Sequence, residues 1–314
     1  MFSQERNFTD WQLKGFGSAP AFLFETIEST HSLMKQRAAA GEITPGTLIV
    51  ANTQTKGRGR HERTWDSPAS KNLYFNILIP LDGIPANHFA QITQVTALTF
   101  AEVFIGIQEE ADTKTNLKAS TATETSLESN IEKNETATSL DNIKHQNITV
   151  KWPNDILYGK SKFCGILAEI VFTPVPQSPP KPALNMGIGI NVNSNAIDYA
   201  HLGREVTTLK EIIGHPINRE KLLQMLIGNL ERAIGQFKAF GISPWVAAWK
   251  RMDKFIGTRG TIIINNHCTD ANHNSSENSV KKLGTILDMQ PDGSLLFQCD
   301  DGKIETVLSA DLEI

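Results

Sequence analysis

Gly57-Arg58-Gly59-Arg60 crowds two guanidinium groups into four residues, and Trp65 and Asn72-Leu73-Tyr74 follow closely. Glycines free the backbone for positive φ and for close approach to a ligand. The arginines offer planar forks that match carboxylate and phosphate oxygens. Such a loop repels itself unless an anion binds, which points to a ligand carrying both a carboxylate and phosphates. It has neither the GKS/T ending of a Walker A loop nor the GxGxxG spacing of a dinucleotide fingerprint. A solvated basic turn or an RNA-binding fragment would use the same residues.

Three further strings carry chemistry. In Lys151-Trp152-Pro153-Asn154-Asp155, proline restricts the residue before it, and Asn154 and Asp155 place polar groups at a strand end. An ordinary Asn-Asp turn reads the same way. Lys162 opens an apolar stretch, either as a surface charge or as a cation that neutralises charge during phosphate chemistry. Gly187-Ile188-Gly189-Ile190-Asn191 is an apolar strand lacking two side chains, which marks close approach by a ligand or by packed backbone.

The elements that must position these groups are partly legible. Ser29-Thr30 caps a helix over Ser32 to Ala40, closed by Gly41. Leu48 to Ala51 is a strand feeding the arginine loop, and Leu73 to Ile79 is a second. Ile92, Thr96, Phe100, Val103, Phe104 and Ile107 fall at helical spacing, giving a helix from about Asn87 to Gly106. Ile148 to Val150, Phe163 to Phe172 and Leu184 to Val192 read as strands, with Pro174 to Pro182 a proline-rich connection. Arg219 to Phe240 and Pro244 to Asp253 read as helices. Past Phe255 the pattern is short strands, with Asp292-Gly293 and Asp301-Gly302 as hairpin turns and Asn265 to Ser279 a long polar loop. Glu109 to Asn147 contains no aromatic residue, glycine or proline. It buries too little apolar surface to offset its ordering entropy, so it reads as an insertion, disordered or loosely helical.

Bulk properties bound the answer. A chain of 314 residues suits about two domains, with 40% hydrophobic residues for their cores. The net charge of −4 argues against a general nucleic-acid binder. Cys164, Cys268 and Cys299 lie far apart and form no CxxC pair, as expected in a reducing compartment. No signal core and no membrane-spanning run is present. The expectation is a cytoplasmic protein.

Taken in order, Glu28-Ser29-Thr30, Gln54 before the Gly57 loop, Trp65 with Ser67-Pro68, Asn72-Leu73-Tyr74, Lys151 to Asp155, Lys162 with Gly165-Ile166-Leu167, and Gly187 to Asn191 resemble the biotin–protein ligase family. The likeness runs from about Phe22 to the C-terminus, apart from the polar insertion. It implies an α+β fold: a mixed β-sheet catalytic domain flanked by helices, like class II aminoacyl-tRNA synthetases and lipoate ligases, followed by a small SH3-like barrel. The expected bounds are 1–254, with the insertion at 109–147, and 255–314.

The resemblance implies ATP- and Mg²⁺-dependent formation of biotinyl-5′-AMP, then transfer of biotin to a lysine of a biotin carboxyl carrier protein, typically that of acetyl-CoA carboxylase. It implies that Ser29, Thr30, His31, Gln54 and Lys162 contact biotin. Arg58, Gly59 and Arg60 would order over its carboxylate and the phosphates. Trp65 would lie near adenine, Asn154 and Asp155 beside the phosphates, and Asn191 near the nucleotide. Lys162, Arg58 and Asp155 are the catalytic candidates, Asp155 by positioning or deprotonating the acceptor lysine. Gly165, Gly187 and Gly189 would leave room for the biotin rings, and metal ligands stay unassigned. His31 stands where the family usually has Asn. Glu62 stands where it has a third loop glycine, with Arg63 placed to pair with it. Only about 20 residues precede the pattern, too few for a DNA-binding winged helix. That implies a monofunctional form, monomeric or homodimeric, with no DNA or membrane partner. A lipoate ligase or octanoyltransferase, a non-catalytic adenylate sensor and a nucleic-acid binder are the competing readings.

Overall fold

The computed structural model describes residues 7–60, 63–124, 147–269, 275–308 and 310–314, with the backbone alone described at 115–124, 265–269 and 275–279. Its first sheet has seven strands: β1 (Ala21–Ile27), β2 (Leu48–Gln54), β3 (Leu73–Pro80), β4 (Ile148–Lys151), β5 (Asp155–Tyr158), β6 (Ser161–Val175) and β7 (Ser178–Ile190). The spatial order is β1-β2-β3-β7-β6-β5-β4. β1 and β2 run parallel, and the remaining neighbours run antiparallel.

The two faces of this sheet differ in chemistry, because successive side chains of a strand point to opposite sides. Leu73, Phe75, Ile77 and Ile79 of β3 and Leu184, Met186, Ile188 and Ile190 of β7 join one large apolar core. That face is covered by α2 (Gln91–Glu124), α4 (Arg219–Phe240) and α5 (Ser243–Met252), with the short α3 (Leu209–Ile213) preceding α4 in the chain. Each fully buried leucine, isoleucine or phenylalanine there contributes roughly 1.5–3 kcal/mol. The opposite face carries Tyr74 and Asn76 of β3 and Asn185, Gly187 and Gly189 of β7. There α1 (Thr30–Ala39) packs Met34 and Ala38 onto Ile49, Leu78, Val171 and Ala183. The capping serine accepts from Ser32 N at 3.4 Å.

An antiparallel five-stranded sheet follows, built from β8 (Arg259–Thr269), β9 (Ser275–Met289), β10 (Leu295–Cys299), β11 (Ile304–Val307) and β12 (Asp311–Glu313), in the order β11-β10-β9-β8-β12. Both expected Asp-Gly turns form, with Gly293 at φ 81° and Gly302 at φ 86°. The first of them docks on the start of α2 and on Trp152, which follows β4. Gln91 Nε2 donates to Asp292 O at 2.7 Å, and Gln94 Nε2 and Trp152 Nε1 donate to Gly293 O at 2.6 and 3.1 Å. Ile262, Ile286, Leu295 and Phe297 belong to the same apolar core as the large sheet.

Three expectations change. Pro174 to Pro182 is the tip of the β6–β7 hairpin, with Gln177 at φ 55° in the turn. Prolines fit because β3 pairs with β7 only from Ala183 onward, so residues 178–182 form a local edge. Asn265 to Ser279 is not a long loop: Asn265–Thr269 pairs with Ser275–Ser279, since backbone ladders form regardless of side-chain polarity. β1 escaped the sequence reading. The helix expected from about Asn87 to Gly106 runs from Gln91 to Glu124 and so includes the start of the polar stretch; residues 125–146 lie outside the described residues. No helix among the described residues is long and apolar enough to cross a membrane.

Trp152 is 1% exposed and joins the two sheets. Trp152→Ala is expected to lower stability by about 3–5 kcal/mol through cavity formation. Trp152→Phe keeps most of the packing and should cost about 1 kcal/mol for the lost hydrogen bond. Urea denaturation midpoints for the two variants check both values.

Candidate active site

Beyond β2 the chain folds back on itself. Trp65 N donates to Gly57 O at 2.9 Å, and Gly59 N donates to Arg63 O at 2.7 Å. A Cβ at Gly57 would lie 2.3 Å from Trp65 O, so only glycine closes this hairpin. The loop arches over the α1 face of the large sheet and forms a pocket with it. Ser29, Thr30, His31, Gln54, Arg58, Gly59, Arg60, Trp65, Asn154, Asp155 and Lys162 all line that pocket. The expected site residues therefore converge, with Asn191 as the exception. Asn191 Nδ2 donates to Thr207 O at 3.3 Å, and the residue borders a separate small hollow behind Trp65 and Lys162.

At the cationic part of the pocket, Arg60 Nη1 donates to Asn154 Oδ1 at 3.3 Å and lies 3.4 Å from Asp311 Oδ1. Arg63 Nη2 lies 3.1 Å from Asp311 Oδ2. Arg63 was expected to pair with Glu62, which lies outside the described residues. Burial lowers the Arg60 pKa and Asp311 and Asp155 oppose that shift; a guanidinium stays charged under these conditions. The tight turn after Lys151 fixes Asn154, whose Nδ2 donates to Ile166 O at 2.6 Å. Lys162 Nζ sits 2.6 Å from Asp155 Oδ1 and 5.4 Å from the centre of the Trp65 ring.

The neutral part is built from helix start and strand floor. Thr30 N and Oγ1 both donate to Gln54 Oε1, at 2.8 and 3.0 Å, and Gln54 Nε2 donates to Ser67 Oγ at 3.1 Å. The Trp65 indole covers Gly165 and Gly189: a Cβ at those positions would lie 2.8 and 2.4 Å from its ring atoms. The space expected above these two glycines is thus taken by Trp65, and Gly187 is left facing His31 and Asn76. His31 Nε2 lies 3.0 Å from Glu169 Oε2, and its Nδ1 lies 3.1 Å from Asn76 Nδ2. Burial lowers the His31 pKa below its usual value, against the opposing pull of Glu169, so the ring is neutral near pH 7.

Sequence reasoning missed Asn76, Arg204 and Asp311 as pocket residues. A polar residue on an otherwise apolar strand could have flagged Asn76. Nothing local marks Asp311, which β12 carries in from the second sheet. The pocket offers cations for an anionic group beside a narrow recess of neutral donors and acceptors. Among the described residues, no group of three or more His, Cys, Asp and Glu side chains is placed to hold a metal.

The model of the Biotin/lipoate A/B protein ligase family matches residues 23–178. Among curated proteins, the chain is 26% identical to "Bifunctional ligase/repressor BirA" of Bacillus subtilis, covering 93% of this chain and 72% of that protein. It is 26% identical to "Biotin--[acetyl-CoA-carboxylase] ligase" of Mycobacterium tuberculosis, over 81% and 79%. The chain spans 60% of the Escherichia coli BirA protein, at 26% identity over 76% of its own length. Among solved structures, the biotin protein ligase from Aquifex aeolicus in complex with biotin and ATP has the same fold: TM-score 0.65, 22% identity, 93% of this chain and 97% of that one.

Two outcomes are expected. Gly189→Ala pushes its methyl into the indole and should expose Trp65 to acrylamide quenching, at a cost of about 1–3 kcal/mol from overpacking. His31 gives a pH signature. Its folded pKa lies below the unfolded value, so the unfolded chain takes up the proton first and stability falls as pH drops below about 6.5. The slope is at most about 1.4 kcal/mol per pH unit for one proton. Asp253, pushed up to about 6 by burial, acts in the opposite sense at acid pH but is common to both proteins. Urea titrations from about pH 5.5 to 7 should therefore show His31→Asn losing this slope relative to the parent.

Proposed function

We propose that the chain, whose residues 23–178 match the biotin/lipoate protein ligase family, joins biotin to a lysine of a biotin carboxyl carrier protein, by way of biotinyl-5′-AMP. The observation that carries this reading is one pocket that combines Arg58, Arg60 and Lys162 with the neutral recess around Thr30, Gln54 and His31. A ligand with a carboxylate on an uncharged, hydrogen-bonding ring system suits both parts.

In the first step the biotin carboxylate oxygen attacks the α-phosphorus of ATP and pyrophosphate leaves. Two anions must approach each other. Arg58, Arg60 and Lys162 offset that repulsion and hold the groups in line. Lys162 is prepositioned by its ion pair with Asp155, and an incoming carboxylate competes for the same ammonium. Mg²⁺ fits the donor set as an ion that arrives on the nucleotide. It commonly takes one or two carboxylates and fills its shell with phosphate oxygens and water, and Asp155 is the residue that would hold it. Bound there, it supplies charge neutralisation on the phosphates.

In the second step the neutral acceptor lysine attacks the acyl carbon, the C–O bond to AMP breaks, and the amide forms. In this reading Asp155, which lines the pocket beside Lys162, takes the lysine's proton. Closure of the Gly57 loop keeps water from the mixed anhydride. The acceptor is a carrier domain such as that of acetyl-CoA carboxylase, met in the cytoplasm.

The test incubates the protein with biotin, Mg-ATP and a carrier domain, and weighs the acceptor by mass spectrometry. An ATP-dependent, biotin-sized gain is expected, with lipoate failing to substitute; a lipoyl-sized gain instead overturns the biotin reading. Arg58→Ala should reduce biotin-dependent pyrophosphate exchange by about 10²–10³-fold, the usual loss for a group that stabilises transition-state charge.

A further inference from the structure

Asn76 lies in β3 opposite Gly187 of β7, on the face of the sheet that forms the pocket. Its amide orientation follows from its neighbours. Asn185 Nδ2 donates to His31 O at 3.0 Å; a carbonyl only accepts, so this end of Asn185 is its nitrogen. Asn185 Oδ1 is then the acceptor 2.6 Å from Asn76, and the atom facing it is Asn76 Nδ2. The same Nδ2 lies 3.1 Å from His31 Nδ1. His31 Nε2 faces the Glu169 carboxylate at 3.0 Å, which also only accepts. The imidazole proton is therefore on Nε2, and Nδ1 accepts the second Asn76 hydrogen.

One atom is left over. Asn76 is 1% exposed, and its Oδ1 is buried with no hydrogen-bond partner among the described residues. A Cβ at Gly187 would lie 3.1 Å from this oxygen and 3.1 Å from His31 Nδ1. The same position lies 3.0 Å from Asn76 Nδ2, so the missing side chain at Gly187 leaves this amide edge, its unpaired oxygen included, at the wall of the pocket that Asn76, His31 and Gly187 line together. Buried amide oxygens are almost always paired, and every other polar atom of this side chain is already committed.

We infer that Asn76 is a ligand-binding residue whose Oδ1 accepts a hydrogen bond from a ureido N–H of the bound biotin. Asn185, His31 and Glu169 are positioning residues: together they prevent the amide from flipping and presenting its NH₂ to the ligand. The inference deepens the biotin reading and rests on it. It also assigns specificity. A ring without an N–H donor at this point leaves Oδ1 unpaired and binds more weakly, which disfavours a dithiolane ring such as that of lipoate.

The test is calorimetric titration of the full chain and its Asn76→Ala variant with biotin. The same titrations use the two cyclic carbamates in which one or the other ureido N–H is replaced by oxygen. The expected result is a loss of about tenfold or more in biotin affinity for Asn76→Ala, the scale of one buried hydrogen bond to a ligand. That loss should vanish for one of the carbamates. An equal loss with all three ligands, or no loss with biotin, overturns the assignment and leaves Asn76 a structural residue. A crystal structure of the unmutated chain with biotin decides independently of the variant's folding. A ureido nitrogen within hydrogen-bond distance of Oδ1 supports the inference, and a water or the ring's carbonyl there overturns it. Failure of the unmutated chain to bind biotin at all overturns the biotin reading itself, a result distinct from the others.

Discussion

Electrostatic repulsion within the pocket is the constraint on which the rest depends. Arg58, Arg60, Arg63 and Lys162 line one pocket. At surface-like screening two such charges 4 Å apart repel by about 4 kcal/mol. The protein supplies the counter-charge itself. Asp155 takes Lys162, and Asp311 bridges Arg60 and Arg63. Asp311 lies on β12 of the second sheet, so that sheet is part of the site and its docking has to be firm. The Asp292-Gly293 turn provides this, gripped by Gln91, Gln94 and Trp152.

The large sheet meets a second demand by dividing its faces. One face is filled with apolar side chains against three helices. On the other, the row Gly165, Gly189 and Gly187 removes side chains where bulk must approach the backbone. Trp65 occupies two of those spaces and thereby ties the arginine loop to the floor. Strand alternation makes the division possible: successive residues of β3 and β7 turn alternately to the large apolar core and to the face that carries α1 and the pocket.

Much of this was legible because its signals are local. The loop's glycines and arginines, the Lys151 to Asp155 turn, the α4 periodicity and the two Asp-Gly turns each announce themselves within a few residues. What escaped depends on pairing between distant segments. The prolines of 178–182 looked like a connection because sequence does not show that β3 stops short of them. Asp311 became a site residue through strand pairing and through contacts with residues some 250 positions away. Asn76 reads as an interruption in an apolar run until the face it occupies is known. The expectation that three glycines leave room for a ligand omitted the possibility that an aromatic side chain from the chain itself fills part of that room.

The histidine at position 31 shows why a departure from a family pattern need not be a loss. An asparagine amide offers donor and acceptor at opposite edges. A neutral imidazole protonated on Nε2 does the same, with Nε2–H toward Glu169 and the Nδ1 lone pair toward Asn76. The equivalence holds only while the ring is uncharged, since an imidazolium donates from both nitrogens. Burial enforces that state, outweighing the pull of Glu169 toward protonation. Lys35 assists by drawing on the other oxygen of the same carboxylate, which leaves less negative charge to stabilise a second proton on the ring. Burial, with Lys35 and Arg58 acting in the same direction, therefore favours the one protonation state in which this histidine presents the donor and acceptor pattern of an asparagine.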